Sequence, residues 1–311
     1  MTKLHIQFYE KRKIFFIISI AIILLGIVFN VIFGTQLDIQ FTGGAVVKYS
    51  YTGEVNTADI ENLVKEATNE ATVKATVNNS MDAENPDEKQ ITLQFGGTDA
   101  LTLDQQKAII ASLNEKYPDQ KFELASSSSV NPSMGRTFFV KCLVAIGIAA
   151  VLLIIYVSIR FKKIGGFSAG VMAIVALLHD IAVVYFVFVA FRIPLNDSFI
   201  AVVLTILGYS VNDTIVIYDR IRENRRLLAS KESLPYIMNL SLNQVFSRSV
   251  FTSLTTFAAV TTVYVVGLIY NLPSITSFAF PMMFGIVVGC YSSLCIAAPL
   301  YVMWEQKKLS K

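Results

Sequence analysis

Four side chains of this 311-residue sequence stand where charge is otherwise scarce. Asp213 lies in an apolar run, with Gly208, Ser210 and Asn212 before it and Thr214 after it. His179 and Asp180 occupy the middle of a second run, and Arg248 stands at the entry of a third. A charge at the centre of a bilayer costs about 2.5–3.5 kcal/mol on insertion scales, so each such residue needs a reason. A carboxyl there feels two opposed influences, because burial favours its neutral form and a nearby guanidinium favours its charged form. A group balanced between them can exchange a proton as water access alternates, which is the chemistry of a proton relay. The same residues also fit a static Asp–Arg pair pinning two helices. The small and hydroxyl neighbours of Asp213 suit a close helix interface in either case. His179 and Asp180 fit a relay lining and a structural hydrogen bond to a neighbouring helix equally well.

The elements that must position these residues follow from composition. The chain is 54% hydrophobic and 16% charged, where about 25% charged is usual for a soluble domain. Six runs, Ile14–Phe33, Phe138–Ile159, Phe167–Phe191, Ser198–Tyr218, Val250–Tyr270 and Phe278–Met303, hold only three charges: Lys141, Asp180 and Asp213. Each is long enough to span about 30 Å of hydrocarbon as a helix. Lys141 is close to the end of its run and can reach the headgroups. This pattern excludes a soluble enzyme and predicts a polytopic membrane protein. Lys and Arg cluster at 1–13, 160–163, 220–231 and 304–311, all on one side if six helices alternate, so both termini are expected to be cytoplasmic. With alternating directions, Asp213 falls in the inner half of the fourth helix, and Arg248 enters from that same face. The first run is too long and lacks a cleavage pattern, so it reads as an uncleaved helix. Cys142, Cys290 and Cys295 all fall inside spans and form no disulfide framework.

Residues 34–137 lie between the first two spans and carry a net charge of −7. A basic nucleic-acid surface is therefore not expected. Ile39–Tyr51 has strand-type residues, and Ile60, Leu63, Val64 and Ala67 recur at helical spacing behind a cap placed at Thr57. Val73–Val77 and Gln90–Phe95 read as strands around a polar loop, Asn78–Lys89. Thr102 to Gln105 forms a capping box that opens a helix burying Ile109, Ile110, Leu113 and Tyr117. A last strand, Phe122–Ser126, precedes a Ser/Asn/Pro-rich stretch that reads as a link to the membrane. The order β-α-β-β-α-β predicts an exterior ferredoxin-like α+β domain between helices 1 and 2. That fold names no activity. The predicted organisation is 1–33 for the N-terminus and first helix, 34–137 for the exterior domain, 138–303 for helices two to six with a cytoplasmic loop at 219–247, and 304–311 for the tail. Within that loop a helix is expected over Pro235–Val245.

The run Gly208-Tyr-Ser-Val-Asn-Asp-Thr-Ile-Val-Ile-Tyr-Asp-Arg-Ile-Arg-Glu-Asn224 closely resembles the signature of the SecF family, the smaller membrane subunits of the SecD–SecF export complex. These proteins belong to the proton-driven resistance-nodulation-division superfamily. Phe41-Thr-Gly-Gly44, Val130-Asn-Pro-Ser-Met-Gly135, Tyr156 with Arg160-Phe161, His179-Asp180, Ser247-Arg248 followed by Thr252-Ser253 and Thr255-Thr256, and Gly285, Gly289 and Ser292-Ser293 fit it in register. One departure is Gln40, where the family usually has Asp. The resemblance implies a SecD-like partner, which supplies six further helices, and work with the SecYEG channel and SecA on exported unfolded polypeptides. It implies a bacterial cytoplasmic membrane location and no cofactor, the transported ion being H+ or Na+. It also aligns Asp213 with the transmembrane Asp implicated in ion movement and Arg248 with its basic partner.

Three rival readings remain. An intramembrane aspartyl protease would pair Asp180 with Asp213, but Val211-Asn212 stands where such enzymes have Gly-x-Gly before Asp. A passive scaffold would need no ionisable Asp213. A small-molecule exporter of the superfamily is usually a longer single chain. No nucleotide-binding loop is evident, so an ion gradient or another subunit is expected to supply the energy.

Overall fold

The structure, a computed structural model, describes residues 6–38, 41, 43–68, 73–79, 88–96, 101–130, 132–270 and 272–309. Gln40, Thr42, Asn131 and most of the polar loop 78–89 lie outside the described residues. The chain starts with α1 (Arg12–Phe33) and passes through β1 (Gly44–Thr52), α2 (Thr57–Thr68), β2 (Val73–Asn79), β3 (Glu88–Gly96), α3 (Leu103–Lys116) and β4 (Glu123–Val130). It returns through α4 (Pro132–Arg160), a 3-10 turn at Lys162–Ile164, α5 (Gly166–Ala190), α6 (Asp197–Leu228) and α7 (Leu234–Ile269). The last span is continuous, from α8 (Pro273–Ser292) through a π-helical turn at Ser293–Ala297 into α9 (Ala298–Leu309). Among the described residues six helical segments are long and apolar enough to cross a bilayer, matching the six apolar runs. The protein is a multi-pass membrane protein. With six crossings the termini share one face, and the α+β segment lies on the other.

The α+β segment has the expected element order. Its sheet runs β2-β3-β1-β4, with β1 antiparallel to both β3 and β4, and β2 antiparallel to β3. Alternation along β1 turns Ala45, Val47, Tyr49 and Tyr51 inward, where they meet Ile60 and Val64 of α2 and Ile109 and Leu113 of α3. The Thr102–Gln105 capping box is present. Two sequence expectations shift. The cap of α2 is Asn56, whose Oδ1 accepts from the Ala58 amide at 3.0 Å, one residue before the predicted Thr57. The serine-rich stretch beyond Ser126 is not a linker but the second half of β4. Ser127, Ser128 and Ser129 pair there with Val47, Val46 and Ala45. As an edge strand with an exposed surface, β4 needs no apolar residues to be held by its backbone.

The predicted 219–247 loop is largely helix. The α6 and α7 helices both run past the apolar core and turn only around Ala229–Ser233. Ile221, Ile237, Met238, Leu242 and Val245 are buried between these extensions, and Asn224 donates to Ser241 Oγ and Gln244 Oε1 at 2.8 Å each. The expected Pro235–Val245 helix is thus the first part of α7.

Residues 36–38 bind the α5–α6 loop. The Asp38 amide donates to the Leu195 carbonyl at 2.9 Å, and the Leu195 amide donates to the Gln36 carbonyl at 2.8 Å. Phe41 is buried against Phe138 and Phe139 of α4. The α+β segment is therefore clamped to the helices at its first chain connection, residues 36–41.

Within the bundle α5, α6 and α8 are buried most, and α1, α4 and α7 present apolar side chains outward. The α4–α5 turn requires two glycines. Gly165 has φ +91°, and a Cβ on Gly166 would overlap the Ser158 carbonyl oxygen. Because that neighbour is backbone, it cannot rotate aside. Gly166→Ala is expected to destabilise the chain by about 1–3 kcal/mol, the usual range for overpacking. A thiol-reactive dye that reaches buried Cys290 and Cys295 only on unfolding measures this as a lowered transition temperature.

Candidate functional site

Asp180, on α5, is fully buried. Its Oδ2 accepts from Ser210 of α6 at 2.8 Å and from Ser292 of α8 at 2.7 Å. Its Oδ1 lies 3.1 Å from His179 Nδ1. Ser293 and Thr214 share a hydrogen bond at 2.9 Å, and Ser293 donates to the Ser210 carbonyl at 3.2 Å. One carboxylate and four hydroxyls thus join α5, α6 and the last span. The π turn starts at Ser293, where the helix widens beside this cluster. Ser292 also has the Gly289 carbonyl within reach at 3.2 Å. Its hydroxyl can therefore donate to an ionised Asp180, or accept from a neutral one while donating to Gly289.

Asp213 is held differently. Ser249 of α7 donates to its Oδ1 at 2.6 Å, and its Oδ2 is buried with no hydrogen-bond partner among the described residues. One turn earlier on α6, the Tyr209 hydroxyl donates to Ser253 at 2.8 Å. The two contacts form successive rungs between antiparallel helices, because 209 and 213 are four apart and so are 249 and 253. Gly208 and Asn212 are exposed beside Asp213.

The sequence placed Asp213 and Arg248 together, and the structure brings them near without contact. Among the described residues no ion pair joins them. Arg248 is exposed on α7, next to the Ser249 that touches Asp213. The residue after it, Ser249, turns towards α6 because successive helical residues point about 100° apart. Sequence reasoning missed Ser249, Ser253 and Tyr209 as partners. Their matching four-residue spacing on adjacent spans was the available signal. Gly208, Ser210, Asn212 and Thr214 divide by face, with Ser210 and Thr214 in the buried cluster and Gly208 and Asn212 on the open side.

A protease dyad does not form. No hydrogen bond joins Asp180 to Asp213, and Asp180 already uses both oxygens on Ser210, Ser292 and His179. Among the described residues no group of three or more His, Cys, Asp or Glu side chains is arranged to hold a metal.

Fold and site define a helical membrane protein with two carboxyls at helix interfaces and an α+β segment on one face. The chain belongs to the SecD/SecF family: residues 109–307 match the family described as "Protein export membrane protein SecD/SecF, C-terminal". It is 34% identical to "Protein translocase subunit SecF" of Petrotoga mobilis over 99% of both chains. It is also 34% identical to "Protein translocase subunit SecDF" of Bacillus subtilis, covering 98% of this chain and 39% of that one. The crystal structure of SecDF from Thermus thermophilus is similar at 26% identity and a TM-score of 0.77, over 96% of this chain and 38% of the other. The chain therefore spans about two fifths of each SecDF chain it matches and the full length of the SecF relative.

Proposed function

We propose that this chain is the SecF-type subunit of an ion-driven protein-export complex in the bacterial cytoplasmic membrane, with both termini cytoplasmic. It works with a SecD-like subunit, and with the SecYEG channel and SecA, on unfolded exported polypeptides. The observation that carries this reading is Asp213, a carboxyl satisfied on one oxygen by Ser249 and unpartnered on the other among the described residues. It lies beside the exposed Gly208 and Asn212, with Arg248 close by. The exposed Gly208 and Asn212 offer a small, polar face on which a SecD-like helix can be laid beside this carboxyl. That the B. subtilis relative carries the name SecDF, with this chain matching 39% of it, supports such a partner.

In this reading a proton arrives at Asp213 and neutralises it, which weakens its attraction to Arg248 and leaves the Ser249 bond as the remaining tie between α6 and α7. Its departure restores the charge and the attraction. The rungs Asp213–Ser249 and Tyr209–Ser253 carry the change along the two helices. The clamp at residues 36–41 passes bundle movement to the α+β segment. Asp180 is the brace around which α5, α6 and the last span are held. The ion is cargo, the chain is not an enzyme, and no resident cofactor takes part. A sodium-driven version needs the same carboxyl.

The test is gradient-stimulated export of a preprotein into proteoliposomes that hold this chain, its SecD-like partner and the channel. Asp213→Asn is expected to remove the stimulation, and unchanged stimulation overturns the reading. The docking face makes a separate prediction. A Cβ on Gly208 meets nothing within 4 Å, so Gly208→Ala is expected to leave stability unchanged. A ring at the same place would hold the partner helix off, because close approach of helices in membranes relies on small residues. Gly208→Phe is therefore expected to cut co-purification of the SecD-like partner about tenfold, in line with an overpacking cost of about 1–3 kcal/mol.

A further inference from the structure

On the face that carries the termini, α4 and the following turn meet the end of α6 in a cleft of about 880 Å³. Six basic side chains line it, Arg160, Lys162, Lys163, Arg222, Arg225 and Arg226, against one acid, Glu223. Internal pairing does not use up this charge. Asp219 pairs with Arg160 at 3.3 Å and with Arg222 at 2.5 Å, Glu223 pairs with Arg220, and Arg225 donates to the Ile164 carbonyl and Tyr301 hydroxyl. Lys162, Lys163 and Arg226 make no ion pair among the described residues, and all three are exposed. A concentration of cations in a concave wall seeks an anion with several oxygens.

The apolar surroundings say which anion. Ile159 lines the same cleft, and Ile155 and Leu152 lie four and seven residues back along the same face of α4. Their exposures are 60%, 49% and 60%, so an uninterrupted apolar strip descends from the cleft into the membrane. Phe167, at 67% exposure, stands at the start of α5 near the same level. A ligand with a phosphate head and long hydrocarbon tails fits both parts, whereas a free phosphate would use only the first.

We propose that this cleft binds the headgroup of an anionic phospholipid, with Lys162, Lys163 and Arg226 contacting the phosphate and the Leu152–Ile155–Ile159 strip carrying an acyl chain. The site is separate from Asp213 and does not depend on the ion-relay reading. A lipid held there would tie the 3-10 turn to the end of α6, and so brace the terminal-face extension of that helix against the bundle.

The test uses the full chain in nanodiscs of dioleoyl phosphatidylcholine with a small fraction of dioleoyl phosphatidylglycerol, with retained lipid counted by native mass spectrometry. The expected result is preferential retention of phosphatidylglycerol, reduced at least tenfold by the triple change Lys162→Gln, Lys163→Gln and Arg226→Gln. The charge-preserving set Lys162→Arg and Lys163→Arg should retain it. The control set Lys11→Gln, Lys13→Gln and Lys231→Gln removes the same charge from the same face and should keep retention within twofold. Ile155→Glu, which leaves all six cations in place, should reduce retention if the tail uses the strip. Equal loss in the control set, no preference for phosphatidylglycerol, or displacement of the lipid by millimolar inorganic phosphate with Ile155→Glu silent would each overturn the proposal. The last of these would identify the ligand as a free phosphate.

Discussion

Asp213→Asn is expected to abolish gradient-stimulated export while leaving the chain inserted, folded and bound to its SecD-like partner. The substitution is almost isosteric, and the amide oxygen still accepts from Ser249, now 2.6 Å from Oδ1. The amide nitrogen falls at the position of Oδ2, which has no hydrogen-bond partner among the described residues, so no existing bond is broken. What disappears is the ability to hold a charge or a transferable proton. A positioned proton-transfer group contributes about 10²–10⁴-fold to a rate, so the gradient-dependent part of export should fall at least about a hundredfold. Arg248→Met should act in the same direction, because it removes the positive charge next to the Ser249 that holds Asp213 while no packing is lost at an exposed position. Export driven by SecA alone, measured without an imposed gradient, should be unchanged in both variants. A passive scaffold predicts full stimulation in both, and that result would remove the ion-relay reading. Running the same assay with a sodium gradient at constant pH separates the two possible ions, since only the coupled ion should stimulate the native chain.

The legible part of this protein is the part dictated by solvent. Six apolar runs with three charges reported six helices, because hydrocarbon forces both helix length and composition. The order of strands and helices between the first two spans was legible for a related reason: alternation along β1 and the Thr102–Gln105 box are local signals. The sequence shows β4 shorter than it is, because its edge position lets it be built from serines, whose side chains carry no burial pattern. Charged residues such as Arg220, Arg222 and Glu223 end an apolar run, so the 219–247 segment reads as a loop with one helix inside it, although nothing in them ends a helix. At the site, the identities of Asp180 and Asp213 were legible as expensive charges. Their partners were not, since serines cost little in a membrane and betray themselves only when two helices are docked. The choice of Arg248 over Ser249 as the contact of Asp213 depended on helix rotation, which a sequence carries only through the packing of all neighbours at once.

Asp180 invites a pair of substitutions with opposite expected outcomes. Asp180→Leu removes the acceptor shared by Ser210 and Ser292, which strands the buried Ser210 hydroxyl and leaves Ser292 only the longer bond to the Gly289 carbonyl. An unmade hydrogen bond at a buried group costs about 1–3 kcal/mol, a loss that Ser210 bears in full. Total stabilities are about 5–15 kcal/mol, and the loss is large on that scale. Dye labelling of Cys290 and Cys295 should begin at markedly lower temperature, and little chain should reach the membrane folded. Asp180→Asn keeps a carbonyl oxygen for both serines and can donate its amide hydrogen to His179 Nδ1, 3.1 Å from the present Oδ1. It should therefore unfold near the native temperature. Its export activity then decides the role. Both oxygens of Asp180 are engaged by residues of the same chain, whereas Asp213 has one oxygen without a hydrogen-bond partner among the described residues, so the brace reading expects Asp180→Asn to export within about threefold of native. A folded Asp180→Asn chain that has lost gradient stimulation, as Asp213→Asn is expected to, would instead place both carboxyls on the ion path. In that case the Ser292 hydroxyl, with Asp180 and the Gly289 carbonyl both in reach, would be the next link to test, by Ser292→Ala.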